Sequence, residues 1–197
     1  MIKVIAFDFG GVIYTYNHDI LMKDVARELK QQVRAVTNAW KVKIKDYERG
    51  KISEDEFWTA FLRKLNINYD KKILHQITIR HFKPITGSLK ILADLKDKVV
   101  IGLISNQTSW IEDLERKYKF KKLFDMLVIS KDVSLRKPSK SIFKLFIKKT
   151  KVKPNEIIFI DDSFNYKDAT ESVGINFIHF QNSKKLKNEL KSYGVKF

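Results

Sequence analysis

Four times along this chain a short apolar run, rich in β-branched residues, stops at a polar residue. Lys3-Val4-Ile5-Ala6-Phe7 gives way to Asp8, and Val99-Val100-Ile101-Gly102-Leu103-Ile104 to Ser105-Asn106. Met126-Leu127-Val128-Ile129 stops at Ser130, and Ile157-Ile158-Phe159-Ile160 at Asp161-Asp162. A fifth run, Phe177-Ile178-His179-Phe180, follows Gly174. Unbroken apolar runs of this length suit strands buried on both faces, the condition of a parallel sheet. Between the later runs, residues 110–118, 139–149, 166–173 and 184–193 carry apolar side chains at three- and four-residue spacing, the mark of amphipathic helices. Strand and helix in alternation predict an α/β fold: a Rossmann-like open parallel sheet, covered by helices and joined by right-handed crossovers. Such sheets bind ligands beyond the carboxyl ends of their strands. Asp8, Ser105, Asn106, Asp161 and Asp162 all fall there.

One stretch breaks the alternation. From about Tyr14 to about Pro84 no strand-like run occurs. Residues 18–32 read as an amphipathic helix with Ile20, Leu21, Val25, Ala26 and Leu29 on its apolar side. Ser53-Glu54-Asp55-Glu56 is a capping box, in which serine and glutamate satisfy the first free amides of a helix reciprocally. It opens a segment carrying Phe57, Trp58, Phe61, Leu62 and Leu65, and residues 72–82 predict a further helix. Some 70 residues of helix exceed any loop. The expected organisation is a core of residues 1–14 and 86–197, with residues 15–85 inserted after the first strand as a helical cap over the strand ends. Trp40 and Trp58 are expected in the core of that cap. Tyr14, Tyr16, Asn17 and His18, where the chain leaves the first strand, read first as hinge and surface residues and second as lining of the substrate cavity.

Composition narrows the function. The 197 residues contain no cysteine, which removes thiol nucleophiles, thiolate metal sites and disulfides together. No apolar stretch is long enough to span a membrane and the N-terminus has no secretory pattern, so a cytoplasmic protein is expected. The formal charge is +16, but 32 of the 39 basic residues are lysine and only 7 arginine. Lysine is a hydrated point charge, whereas arginine forks onto phosphates and bases. With the lysines spread along the chain and no nucleic-acid motif among them, specific nucleic-acid binding is not expected. A small anionic substrate would be drawn in by such a field. His75, His81 and His179 lack metal-ligand spacing.

Phe7-Asp8-Phe9-Gly10-Gly11-Val12 resembles the first motif of the haloacid-dehalogenase superfamily. Leu103-Ile104-Ser105-Asn106 is similar to the second, Arg136-Lys137-Pro138-Ser139 with Phe143 to the third, and Phe159-Ile160-Asp161-Asp162-Ser163 to the fourth. Order and approximate spacing agree from Lys3 to Phe180, and the helical insertion resembles the small α-helical cap of the phosphatase branch that includes sugar-1-phosphate phosphatases. The resemblance implies a Mg²⁺-dependent hydrolase that removes phosphate from a small phosphorylated metabolite through an aspartyl-phosphate. It implies Asp8 as nucleophile and metal ligand, with the Gly10 carbonyl and Asp162 completing the protein ligands to the cation. Asp161 would orient this set. Ser105, Asn106 and Lys137 would hold the phosphoryl group and screen its charge. Such a set answers a physical problem: a carboxylate cannot approach a doubly anionic phosphate unless cations neutralise the target.

Two residues depart from the family's pattern. Gly10 stands where many members carry a second aspartate, the acid and base for the leaving oxygen and the water; that function contributes about 10²–10⁴ in rate. Tyr166 stands where an Asn or Asp is usual. The first departure implies a slower enzyme, a substrate with a good leaving group such as an anomeric or acyl phosphate, or a replacement from the cap or solvent, and the second a less tightly braced acidic site. Two alternatives stay open, the first disfavoured by Gly10, since that branch usually has a bulky residue there, and the second motivated by Gly10, Tyr166 and the high charge. One is a 2-haloacid dehalogenase, in which Asp8 attacks carbon without a metal. The other is a non-catalytic relative that only binds a phosphorylated ligand or a nucleic acid.

Overall fold

The computed structural model describes residues 1–197. β1 (Val4–Phe7), β2 (Val100–Ser105), β3 (Met126–Ile129), β4 (Ile157–Asp161) and β5 (Asn176–His179) form one sheet in the order β3-β2-β1-β4-β5. Every pairing is parallel. The chain runs outward from β1 on one side and returns to the other, so the switch in strand order lies at β1, where a crevice opens beyond the strand ends.

The two faces of the sheet separate by side-chain alternation. Ile5, Phe7, Ile101, Leu103, Ile158 and Ile160 point to one face, in a cluster of 24 buried residues. α6 (Thr86–Leu95), α7 (Trp110–Tyr118) and α11 (Ser183–Ser192) add Leu92, Leu114, Leu186 and Leu190 to it. Val4, Ala6, Ile104, Val128, Ile157 and Phe159 point the other way, against Ile142, Phe143 and Phe146 of α9 (Lys140–Thr150). Burial on both faces is the reason these strands read as unbroken apolar runs.

Residues 18–80 supply α1 (His18–Glu28), α2 (Val33–Lys41), α3 (Ile44–Tyr47), α4 (Glu54–Leu65) and α5 (Lys71–Arg80), and no strand. They build an apolar cluster of 16 buried residues, of which only Trp110 comes from outside the segment. The capping box is formed, with Ser53 N donating to Glu56 Oε2 at 2.7 Å and Glu56 N to Ser53 Oγ at 3.2 Å. Trp40 and Trp58 are buried, as expected. The first helix is shorter than its periodicity implies: Lys30 turns left-handed at φ 52° and the chain restarts as α2. That helix buries only Val36, Ala39 and Trp40, too narrow a stripe to register in sequence. The helix expected over residues 166–173 is likewise reduced to α10 (Lys167–Glu171), preceded by a 3₁₀ turn.

Polar anchors tie this layer to the sheet domain. Glu54 Oε1 accepts from Trp110 Nε1 at 2.7 Å and Trp58 Nε1 at 2.9 Å, and lies 2.7 Å from His75 Nδ1. Tyr47 Oη and Ser109 Oγ are 2.6 Å apart. The two connecting segments run side by side, with Thr15 N donating to Lys83 O at 2.7 Å. No helix is long and apolar enough to cross a membrane.

Candidate active site

Register delivers the first carboxylates. Phe7 pairs with Ile160, so Asp8 and Asp161, one residue further along each strand, emerge side by side. Asp8 N donates to Ile160 O at 2.8 Å, which fixes where the first carboxylate leaves the sheet. Ser105, at the end of β2, donates from Oγ to Asp8 Oδ1 at 2.7 Å.

Lys137 crosses 24 to 129 positions of sequence to reach the same point. Its Nζ lies 2.9 Å from Asp8 Oδ1 and 2.5 Å from Asp161 Oδ2, and its side chain is 1 % exposed. Asn106 clamps its backbone: Lys137 N donates to Asn106 Oδ1 at 2.8 Å, and Asn106 Nδ2 donates to Lys137 O at 3.1 Å. Lys137 Nζ also sits 4.7 Å from the centroid of the Tyr166 ring and 5.1 Å from that of Phe159. Tyr166, the residue out of pattern, thus gives the buried ammonium an aromatic face. Burial opposes the charge on Lys137, but Asp161 and Asp8 outweigh it and hold the ammonium above the usual lysine range.

Asp161 is fully buried, with both oxygens engaged: Oδ2 by Lys137 and Oδ1 by Ser163 N at 2.8 Å. Burial, opposed by Lys137 and aided by the charge on Asp8, raises its carboxyl above the ordinary carboxylate range. Asp162 is different. Its carboxylate takes no donor from another residue and lies over Gly11, where a Cβ would stand 2.2 Å from its Oδ2. Gly11 also has φ +82°, so glycine is required there both by the backbone and by the space the carboxylate fills. Burial, then the charge on Asp8, raises the Asp162 carboxyl above the ordinary range.

One oxygen from each of Asp8, Asp161 and Asp162 lies within 4.8 Å of the others. The donors are hard oxygens throughout, the chemistry of Mg²⁺ or Ca²⁺ rather than of a soft metal. Three carboxylates against one ammonium leave a formal excess of two negative charges, which a divalent cation balances. The donor set therefore fits Mg²⁺.

These groups face a cavity of about 180 Å³ whose walls also include Gly10, Tyr16, Ile44, Glu48, Gln107 and Trp110. Tyr16 accordingly belongs to the cavity wall, the second of its two readings, which displaces the hinge reading. Glu48, Gln107 and Trp110 were not legible in sequence, because no local pattern marks a residue that becomes functional only when the helical layer folds over the sheet. A second, wider cleft of about 650 Å³ adjoins at Gly11, Tyr16 and Asp162, and reaches Asp24, Arg80 and His81.

A parallel sheet with an acidic cluster at its switch point, a buried lysine and a helical insertion after β1 defines the haloacid dehalogenase-like hydrolases, and this chain belongs to that family, which matches it over residues 2–173. A HAD-family enzyme of Bacteroides thetaiotaomicron, solved with magnesium and inorganic phosphate, superposes with a TM-score of 0.76 at 21 % identity, covering 92 % of this chain and 96 % of that one. The L-2-haloacid dehalogenase of Xanthobacter autotrophicus with chloropropionic acid covalently bound gives 0.67 at 16 % identity, covering 100 % of this chain and 85 % of that one. At these identities the likeness is one of fold. In sequence, the D-ribitol-5-phosphate phosphatase of Bacteroides thetaiotaomicron is 28 % identical, across 96 % of this chain and 97 % of the relative. The chain spans 66 % of the length of a Dictyostelium discoideum relative and 36 % of that of the drimenol cyclase of Aspergillus calidoustus.

Proposed function

We propose that this hydrolase is a Mg²⁺-dependent phosphatase of a small phosphorylated metabolite. The observation that carries the reading is the convergence of Asp8, Asp161 and Asp162 on one point beside the buried Lys137. The relative named as a D-ribitol-5-phosphate phosphatase, similar over nearly its whole length, supports the substrate class. Asp8, the Gly10 carbonyl and Asp162 would hold Mg²⁺, which when bound supplies charge neutralisation for a phosphoryl group.

The chain's own residues do the rest. Asp8 is the nucleophile: one oxygen is held by Ser105 and Lys137, which leaves the other to attack phosphorus. Lys137 meets the phosphoryl oxygens as a fixed positive charge, already desolvated and held by Asp161, so little reorganisation remains at the moment of transfer. The Asn106 amide would bind the same oxygens at the end of β2 as a hydrogen-bond donor to an anion, and Ser105, whose one hydroxyl proton lies on Asp8 in the free site, would turn it to the phosphoryl group when that group is bound. The acyl phosphate on Asp8 is then hydrolysed by water, which returns the carboxylate.

Phosphate release from p-nitrophenyl phosphate, acetyl phosphate and a panel of phosphorylated metabolites, measured with Mg²⁺, tests the reading. Activity is expected to vanish in EDTA and in Asp8→Asn. Equal background rates from the wild type and Asp8→Asn on every compound would refute it. Chloride release from 2-chloropropionate that persists in EDTA would establish the dehalogenase alternative.

A further inference from the structure

The core lacks an acid–base group at position 10, and a side chain placed there would be crowded. A Cβ on Gly10 would lie 3.1 Å from Tyr16 Cβ, so Tyr16 occupies the space into which an aspartate there would grow. Among the groups that wall the 180 Å³ cavity, the carboxyls of Asp8, Asp161 and Asp162 belong to the cation cluster. One carboxyl remains, and it comes from the helical layer: Glu48, just beyond α3.

Glu48 is held as a working group must be. Its Oε2 accepts from Arg136 Nε at 2.7 Å, while Oε1 has no donor within the protein. Its backbone is docked on the segment that leads into Lys137: Ser130 Oγ donates to Glu48 O at 2.5 Å, and Ser134 Oγ to Arg49 O at 3.1 Å. Gly50, at φ +65°, brings the chain so close that a Cβ would stand 2.4 Å from Lys131 O. The charged groups facing Glu48 are Arg136, Lys137 and Arg49, all of which favour its ionised form. Burial outweighs them, and its carboxyl is raised above the ordinary range. Burial, and then the charge on Glu48, raises the Tyr16 phenol above the ordinary tyrosine range.

We propose that Glu48 supplies from the cap the acid–base function that Gly10 cannot, through its free Oε1. This rests on the phosphatase reading. In the first step Asp8 attacks phosphorus and the P–O ester bond breaks. The bonding pair goes to the leaving oxygen, which takes the proton of Glu48: ester dianion, Asp8 carboxylate and neutral Glu48 become acyl phosphate dianion, alcohol and Glu48 carboxylate. In the second step water attacks phosphorus, Glu48 takes a proton from it, and the Asp8–phosphorus bond breaks. The products are hydrogen phosphate, the Asp8 carboxylate and neutral Glu48.

A general acid matters in proportion to how poor the leaving group is. Glu48→Gln, which keeps an acceptor for Arg136, is therefore compared with the wild type on glycerol phosphate and on p-nitrophenyl phosphate, both with Mg²⁺. The expected result is a loss in kcat of about 10²-fold or more on the alkyl ester, a much smaller loss on the aryl ester, and disappearance of the alkaline limb of the kcat profile. Glu48→Asp is expected to keep part of the alkyl activity. In Tyr16→Phe the two substrates should lose by the same factor. Equal losses on both esters in Glu48→Gln, or a leaving-group-dependent loss in Tyr16→Phe instead, would overturn the assignment and leave the phosphatase reading standing. A wild type that hydrolyses neither these esters nor any compound of the metabolite panel would remove the phosphatase reading itself.

Discussion

Replacing Lys137 by methionine tests the site without any substrate. The ammonium is 1 % exposed, 2.9 Å from Asp8 Oδ1 and bonded to Asp161, whose side chain is fully buried. Methionine keeps the volume and the contact with the rings of Tyr166 and Phe159 but removes the charge. Two carboxylates then face each other with no cation between them, and Asp161 keeps only the Ser163 amide. Removing one partner of a buried pair costs about 3–5 kcal/mol, most of it the desolvation of the charge left behind. At about 2–4 °C per kcal/mol for a chain of this size, the melting temperature is expected to fall by roughly 6–20 °C. The formal excess of negative charge also rises from two to three, so Mg²⁺ is expected to raise the melting temperature of the variant more than that of the wild type. Differential scanning calorimetry with EDTA and with saturating Mg²⁺ reads both effects. A drop below about 2 °C in EDTA, well outside the range expected for a buried pair, would show that the ammonium does not neutralise these carboxylates, and the electrostatic account of the site would fail.

Two further outcomes follow from single residues. Gly11→Ala puts a methyl where the Asp162 carboxylate lies and strains a backbone at φ +82°; Mg²⁺ affinity measured by titration calorimetry without substrate should fall at least tenfold, and unchanged affinity would exclude Asp162 as a ligand. His81, whose Nε2 lies 3.1 Å from Asp24 Oδ2, is held below the ordinary histidine range by burial, against the pull of Asp24. The unfolded chain therefore binds the proton more readily, so stability is complete above the ordinary histidine pKa and declines as pH falls through it. The wild-type melting temperature should drop more between pH 7.5 and 5.5 than that of His81→Gln, and parallel curves would refute this.

Much of the scaffold was legible in the sequence because its signals are local and redundant. Five apolar runs, each closed by a polar or turn residue, can be satisfied only by strands buried on both faces, and the observed sheet uses all five. Asp8, Ser105 and Asp161 sit at strand ends, so knowing the strands was enough to place them at one edge. Helix boundaries within residues 18–80 were less legible. There the apolar stripe is interrupted by a left-handed turn at Lys30 and continues in a helix with only three buried residues. Lys137 was found by motif alone, since nothing in its neighbourhood distinguishes it from the other lysines.

What the chain's order of residues determined by itself was the period of its strands, the long helical interruption after the first, and the carboxylates that close β1 and β4. Tertiary structure decided which distant groups meet them. Glu48 and Arg136 stand 88 positions apart and touch at 2.7 Å, and Tyr16 takes the space beside Gly10 only because the linker folds back across the strand end. Local patterns encode burial against the nearest neighbours in sequence. A cavity wall assembled from two layers of the fold has no period and leaves no such trace, so its acid, its aromatic faces and the glycine that makes room for Asp162 emerge only in three dimensions.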